Sequence, residues 1–376
     1  MKKVTISQVD TIFVNGRYPI EFLIYFKNKL KSKSIRAALK KLSSDFYPLF
    51  GEYREGVIQF LKYSECEHFD EIAAEQLFNP EDAPESIFDR YRTAIPPEKN
   101  KLFFLKIIQH KNGTVLIPKL NHLAGDGYSY FYFLSALAAL SRITHIPFKK
   151  NLIQTLYTPH HNRTAVKEFQ FTAIDAEPPQ NPQQPVIKFE EIPKSVIRKK
   201  IRDVASANAQ KVSTNDILSA MVIQKLITIQ KHDCKDGFQL TIPIDVRQYI
   251  PEYGAKFLGN GIMLHTVSFA SDELQNPGIH ELAARIRVSM PASTKERFIA
   301  FLNHLETIIK QRRFHELRPF NPETGCLVTN LSRLPADKLN FGTGDPDFIF
   351  PLTIEKNSAA ILSNKNNYIL RLAYSA

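Results

Sequence analysis

Two rhythms of apolar and polar residues are mixed along the whole chain. Short apolar runs bounded by turn residues predict strands at Glu21 to Phe26, Gly56 to Tyr63, Phe189 to Ile192, Phe238 to Ile244, Gly261 to Phe269, Cys326 to Leu331 and Asp347 to Ile354. Leu102 to His110 and Thr114 to Asn121 predict a hairpin across Lys111-Asn112-Gly113, and Ala359 to Ser363 with Tyr368 to Tyr374 a second one. Helical spacing predicts Ser34 to Leu49, with Ile35, Leu39, Leu42 and Phe46 on one face and Pro48 and Gly51 at its end. It also predicts Lys194 to Gln210, Ile217 to Ile229, Ile279 to Ser289 and Lys295 to Gln311. Ser213 reads as an N-cap with Asp216 three residues on. Asp70 to Thr93 is acidic and reads as surface helix and loop. Strands and helices do not alternate strictly, so the expectation is an α+β fold with mixed sheets.

One stretch, Pro159 to Pro185, lacks both rhythms and is rich in Pro, Gln and Asn, so it is the linker candidate. The expected division is an N-terminal lobe over residues 1–160, a linker over 161–187 and a C-terminal lobe over 188–376, with a deep site between the lobes. The length, 376 residues, and the 43% apolar content suit one large domain or two ordinary ones. The formal charge of +11 is spread along the chain, with modest clusters at Lys27 to Lys33, Arg198 to Lys200 and Lys310 to Arg313. Nothing in that distribution prompts a nucleic-acid partner. Cys66, Cys234 and Cys326 have neither disulfide nor metal spacing, which favours a reducing, cytoplasmic setting. The opening MKKVTISQVD lacks the apolar run of a signal peptide. The longest apolar run, Tyr128 to Leu140, is shorter than the roughly 20 residues a bilayer needs, so no membrane insertion is expected. A monomer is expected.

Chemistry concentrates in Thr114 to Leu140, a strand, a tight turn and an apolar helix. His122 and Asp126 stand four residues apart, in a turn that contains Gly125 and Gly127. Buried polar groups are costly unless paired. Two readings stand open: a core histidine with Asp126 capping the helix, or a general base, since an unperturbed imidazole titrates near pH 6.5. Other signatures are incomplete. Gly127-Tyr-Ser129-Tyr-Phe131 lacks the last glycine of a nucleophile elbow. Gly342-Thr-Gly344 has Asp347 where a dinucleotide fingerprint needs its third glycine. His160-His161 has no acidic partner at ligand spacing, so no metal is expected.

His122-x-x-x-Asp126-Gly127 resembles the HxxxDG motif of the CoA-dependent acyltransferase superfamily, which includes chloramphenicol acetyltransferase, condensation domains and the BAHD acyltransferases. Other segments resemble the BAHD pattern in order and spacing. They are Ser34 to Gly51 (SIRAALKKLSSDFYPLFG), Val212 to Ala220 (VSTNDILSA), Asp245-Val246-Arg247 with Phe257-Leu-Gly259-Asn260, Leu327 to Pro335 (LVTNLSRLP) and Asn340 to Pro346 (NFGTGDP). Asn340 and Thr343 replace the Asp and Trp of the family's DFGWG segment, and Leu331 replaces the tryptophan of VTSW.

The resemblance implies two similar chloramphenicol-acetyltransferase-like lobes with a tunnel between them. It implies transfer of an acyl group from acyl-CoA to a hydroxyl or amine of a small-molecule acceptor, in secondary metabolism, without a covalent acyl-enzyme. His122 would be the base, and Gly127 would sit in the structural turn beside it. Asp126 would pair with Arg247 from the other lobe, and Thr329 or Asn330 would serve the oxyanion. Asn260 and Gly342 would line the donor channel, and Arg198, Lys199 and Lys200 would meet CoA. Two alternatives remain: a condensation-type enzyme fed by carrier proteins, and a non-catalytic binding relative. Asn121, where condensation domains carry a second histidine, disfavours the first.

Overall fold

The computed structural model describes residues 1–15, 18–95, 101–143, 147–174, 185–208, 210–230, 237–275, 277–336 and 339–374. Its strands in chain order are β1 (Lys2–Thr5), β2 (Pro19–Phe26), β3 (Glu52–Arg54), β4 (Val57–Phe60), β5 (Phe69–Ala73), β6 (Phe103–His110), β7 (Gly113–Asn121), β8 (Val186–Pro193), β9 (Phe238–Asp245), β10 (Ile262–Phe269), β11 (Gly325–Asn330), β12 (Phe348–Pro351), β13 (Ser358–Ser363) and β14 (Asn367–Tyr374). One sheet has the order β12-β2-β7-β6-β5 and another β10-β9-β11-β13-β14-β8. A small third sheet joins β1, β4 and β3. Both large sheets mix parallel and antiparallel pairs, as expected for an α+β chain: β5 runs parallel to β6, and β11 parallel to β9 and β13.

The expected β6–β7 hairpin forms, pairing His110 with Gly113. Gly113 is required there, because a Cβ would stand 2.2 Å from the Phe26 carbonyl oxygen. The helix Gly127–Arg142 follows β7 directly. It buries Phe131, Phe133, Leu134 and Leu137 in the first core. That core also takes Val246, Ile250, Leu258 and Phe298 from the second half, so one apolar cluster spans both. A separate cluster forms under the helix Thr214–Gln230 on the opposite face of the six-stranded sheet.

Several sequence expectations are redrawn. The first amphipathic helix is Ser32–Leu42, and a short 3₁₀ turn over Tyr47–Phe50 replaces its expected last turns. Ser43, Ser44 and Asp45 separate the two, and such residues compete with the helical backbone for hydrogen bonds. The start of the acidic stretch Asp70 to Thr93, expected as surface helix and loop, belongs to the edge strand Phe69–Ala73, which pairs in parallel with β6 and whose Asp70 and Glu71 are part-buried in ion pairs with Lys106 and Arg36. β12 crosses from the second half to pair with β2, so the first sheet is completed by a strand that lies beyond residue 188. Within the expected linker, Arg163 is fully buried, and residues 175–184 lie outside the described residues.

Candidate active site

His122 is placed by the end of β7. The chain leaves the strand at Asn121, whose side-chain oxygen accepts from the Leu123 N–H at 3.0 Å, and turns back through Gly125. A Cβ on Gly125 would stand 2.7 Å from the Ser129 Cβ, so the turn closes onto the helix only with glycine. The half-buried His122 ring stacks on Phe13, with centroids 3.9 Å apart.

The Nδ1 of His122 lies 3.0 Å from the Asn260 Oδ1. Asn260 is 1% exposed, and its amide nitrogen donates to the Asp10 Oδ1 at 2.7 Å and to the His122 carbonyl at 2.8 Å. Two acceptors on the amide nitrogen fix which end of the amide faces the imidazole. The oxygen faces it, so Nδ1 carries the proton and donates, and Nε2 keeps its lone pair. Asp10 is held in turn by Ser7 N–H at 2.7 Å and by Arg163 at 3.2 Å, both side chains of the ion pair being fully buried. Arg163 also donates to the Leu123 and Ala124 carbonyls at 2.8 and 2.6 Å, bracing the same turn. Burial pushes the His122 pKa below its ordinary 6.5, although Asp126 and Asn260 act in the other direction. The ring is therefore neutral at pH 7.

Asp126 has a different setting. It caps the helix, accepting from the Ser129 N–H at 2.9 Å. It also accepts from the Gly261 N–H at 2.9 Å and from Arg247 Nη1 and Nη2 at 2.8 and 2.9 Å. Burial alone would raise its pKa, but the guanidinium and the N–H donors outweigh burial and hold it below the usual 3.8. Arg247, itself 6% exposed, stacks over Tyr128 and bonds Asp245 at 3.2 Å. A Cβ on Gly261 would meet that guanidinium at 2.8 Å. The pair thus joins the turn after β7 to the segment between β9 and β10.

A cavity of about 560 Å³ opens in front of these residues. His122 and Phe13 form part of its wall, with Arg247, Leu327, Thr329 and Asn330 facing them. Gly127 lines it too, and a Cβ there would crowd Leu331 at 3.3 Å. Most of the exposed lining is apolar, as small-molecule sites commonly are. Thr329 and Asn330 end β11, and the Asn330 amide is tied to Asn215 at 3.0 Å.

The structure brings His122, Asp126, Gly127, Arg247, Thr329 and Asn330 to this cavity. It does not bring the expected donor-channel residues there. Asn260 sits behind His122 with its amide fully engaged by protein groups. Gly342 is an exposed turn residue at φ +110° whose N–H bonds the Asn340 side chain at 2.7 Å, so asparagine itself holds this loop. Arg198, Lys199 and Lys200 lie on the helix Lys194–Asn208, which packs beside β8, at the far edge of the sheet from β9 and β10. His160 and His161 each bond a backbone carbonyl, of Tyr253 and Asp45. No group of three or more potential metal ligands occurs among the described residues. Asp10 and Arg163 were not singled out in the sequence. For Asp10 the available signal was a carboxylate inside the apolar stretch VDTIF; Arg163, in a polar linker, offered none.

The mixed α+β fold with its two large sheets is that of two-lobed acyltransferase structures. A family model described as the Transferase family matches residues 2–367, and the chain belongs to that family, the BAHD-type acyltransferases. Comparison with curated protein sequences returned no match. Among solved structures, F. sporotrichioides TRI101 complexed with coenzyme A and T-2 is similar over 99% of this chain and 95% of its own, at 14% identity and a TM-score of 0.76. Vinorine synthase is similar over 100% and 90%, at 19% identity and a TM-score of 0.76. The first condensation domain of the calcium-dependent antibiotic synthetase covers 100% and 91%, at 10% identity and a TM-score of 0.57. At these identities the likeness establishes the fold.

Proposed function

We propose that this protein transfers the acyl group of an acyl-CoA to a hydroxyl or amine of a small-molecule acceptor, with His122 as the general base. The observation that carries the reading is an imidazole at a cavity wall whose Nδ1 is engaged by the Asn260 side-chain oxygen, which leaves Nε2 as the basic atom. Nε2 takes the proton of the acceptor O–H or N–H. The acceptor atom attacks the thioester carbonyl carbon, and the resulting oxyanion is received by Thr329 or Asn330. The tetrahedral intermediate then collapses, the C–S bond breaks, and the His122 imidazolium returns its proton to the sulfur. The products are an ester or amide and free CoA.

Asp126 and Arg247 act as a brace for the turn that carries His122. Asp126 has its carboxylate filled by four donors, which leaves it little capacity to accept a substrate proton. The TRI101 complex with coenzyme A and T-2 supports both substrate classes by analogy. Cysteine usage favours the cytoplasm as the setting, and secondary metabolism is the field this reading implies.

The test is a panel of acyl-CoAs offered with pooled alcohols and amines. The expected result is free thiol and acylated product in equal amounts. Thiol release without an acylated acceptor, or a stable acylated protein as the end product, contradicts the reading.

A further inference from the structure

Asp10 is a buried carboxylate that the proton transfers above do not use. It is 0% exposed, lies in the 3₁₀ turn Val9–Phe13, and does not line the cavity. Its Oδ2 accepts from the Ser7 N–H at 2.7 Å and from the Ser7 hydroxyl at 3.0 Å, and it faces Arg163 Nη1 at 3.2 Å. Its Oδ1 accepts from the Asn260 amide nitrogen at 2.7 Å. A carboxylate has no proton to give, so both of its oxygens can only accept.

That restriction passes along a chain of side chains to the imidazole. A neutral imidazole carries its proton on one nitrogen, and the partner of that nitrogen decides which one it is. Here the partner is the Asn260 oxygen, 3.0 Å from His122 Nδ1. The oxygen faces the ring because the amide nitrogen has acceptors elsewhere, the Asp10 Oδ1 and the His122 carbonyl at 2.8 Å. The carbonyl is backbone and accepts in every protonation state of the ring. The carboxylate is the acceptor that one substitution can turn into a donor. Asn260 is 1% exposed, so its amide has little water to turn to.

We propose that Asp10 is a positioning residue that sets the tautomer of His122 through Asn260. Its oxygen draws the Asn260 NH2 away from the ring, the Asn260 oxygen accepts from Nδ1–H, and Nε2 is left bare at the cavity. The catalytic consequence rests on the acyl-transfer reading above, whereas the tautomer itself does not.

An amide of the same shape at position 10 should invert the chain. The Ser7 N–H and Arg163 require an oxygen on their side, so the new NH2 faces Asn260. Asn260 answers with its oxygen, gives up its bond to the His122 carbonyl, and presents NH2 to Nδ1. Nδ1 must then accept, and the proton moves to Nε2, where it blocks the base. In a serine–histidine–aspartate triad the corresponding change traps the wrong tautomer and costs about 10⁴-fold in kcat.

The test is nitrogen NMR of histidine-labelled protein at pH 7, with the His122 signals identified by their loss in His122→Ala, alongside steady-state kinetics. The unaltered protein should carry its proton on Nδ1. Asp10→Asn should carry it on Nε2, and its kcat should fall by about 10²–10⁴-fold with KM little changed. Combining Asp10→Asn with Asn260→Ala should restore activity to the smaller loss of Asn260→Ala alone, because the inverted amide is gone. A merely structural role for Asp10 would make the combination worse than either change. If Asp10→Asn does not fold, Asp10→Asn with Arg163→Met removes both charges of the buried pair together, the Ser7 N–H still directs the new amide, and the same readouts decide. A proton on Nε2 in the unaltered protein, or one retained on Nδ1 in Asp10→Asn, overturns the inference. So does a combined variant slower than Asp10→Asn. If the tautomers behave as expected but no acyl-CoA shows His122-dependent turnover, the acyl-transfer reading fails and the tautomer assignment stands.

Discussion

Arg247→Ala isolates the brace between the two halves. It removes two donors from Asp126, at 2.8 and 2.9 Å, and leaves the Ser129 and Gly261 N–H groups in place. Breaking one partner out of a buried pair costs about 3–5 kcal/mol. The two surviving N–H donors put this case at the lower end, about 3 kcal/mol. At roughly 2–4 °C per kcal/mol for domains of 150–250 residues, the melting temperature should fall by about 6–12 °C. Asp126→Ala combined with Arg247→Ala should destabilise by less than the sum of the single changes, because contacting residues couple by about 0.5–3 kcal/mol.

The same pair sets a pH window. The folded Asp126 pKa lies below the usual 3.8, so its stabilisation is present above about pH 4 and is lost as pH falls through the folded value. In the variant, burial acts on Asp126 with much less opposition and raises that pKa. The stability gap between the two proteins should then be full at pH 7 and shrink as pH falls through the variant's raised value toward the parent's lowered one. Thermal unfolding followed by circular dichroism at pH 7 and pH 3.5 measures both effects. A melting temperature at pH 7 within 2 °C of the parent, or strictly additive single changes, would refute the reasoning.

Two further outcomes concern His122. Asn260→Ala should lower kcat by about 10- to 100-fold with KM little changed, part of the roughly 10²–10⁴-fold a positioned base supplies, because Nδ1 loses the acceptor that fixes its tautomer; steady-state kinetics checks it. The acid limb of kcat/KM should fall below pH 6.5, since the base must be neutral to act and burial lowers its pKa; a pH–rate profile measures the midpoint.

How much of this was legible in the sequence depends on distance along the chain. The β6–β7 hairpin, the turn at Gly125 and the Ser213–Asp216 capping box are local, and the residue pattern specifies them. His122 and Asp126 could be singled out because they interrupt an apolar segment. Their partners lie far off: Arg247 is 121 residues from Asp126, and Asn260 is 250 from Asp10. Periodicity carries no information about such pairs, so Asn260 was expected at the donor channel although it orients the imidazole. The β12 crossover is hidden for the same reason, since four apolar residues fit an edge of either sheet equally well.

The central claim is that His122 removes the acceptor proton during acyl transfer. The most direct measurement is free-thiol release by His122→Ala, with an acyl-CoA and acceptor that the parent protein uses and with folding checked by melting temperature. The account predicts a loss of roughly 10²–10⁴-fold in kcat with the fold intact. Turnover within a few-fold of the parent would contradict it.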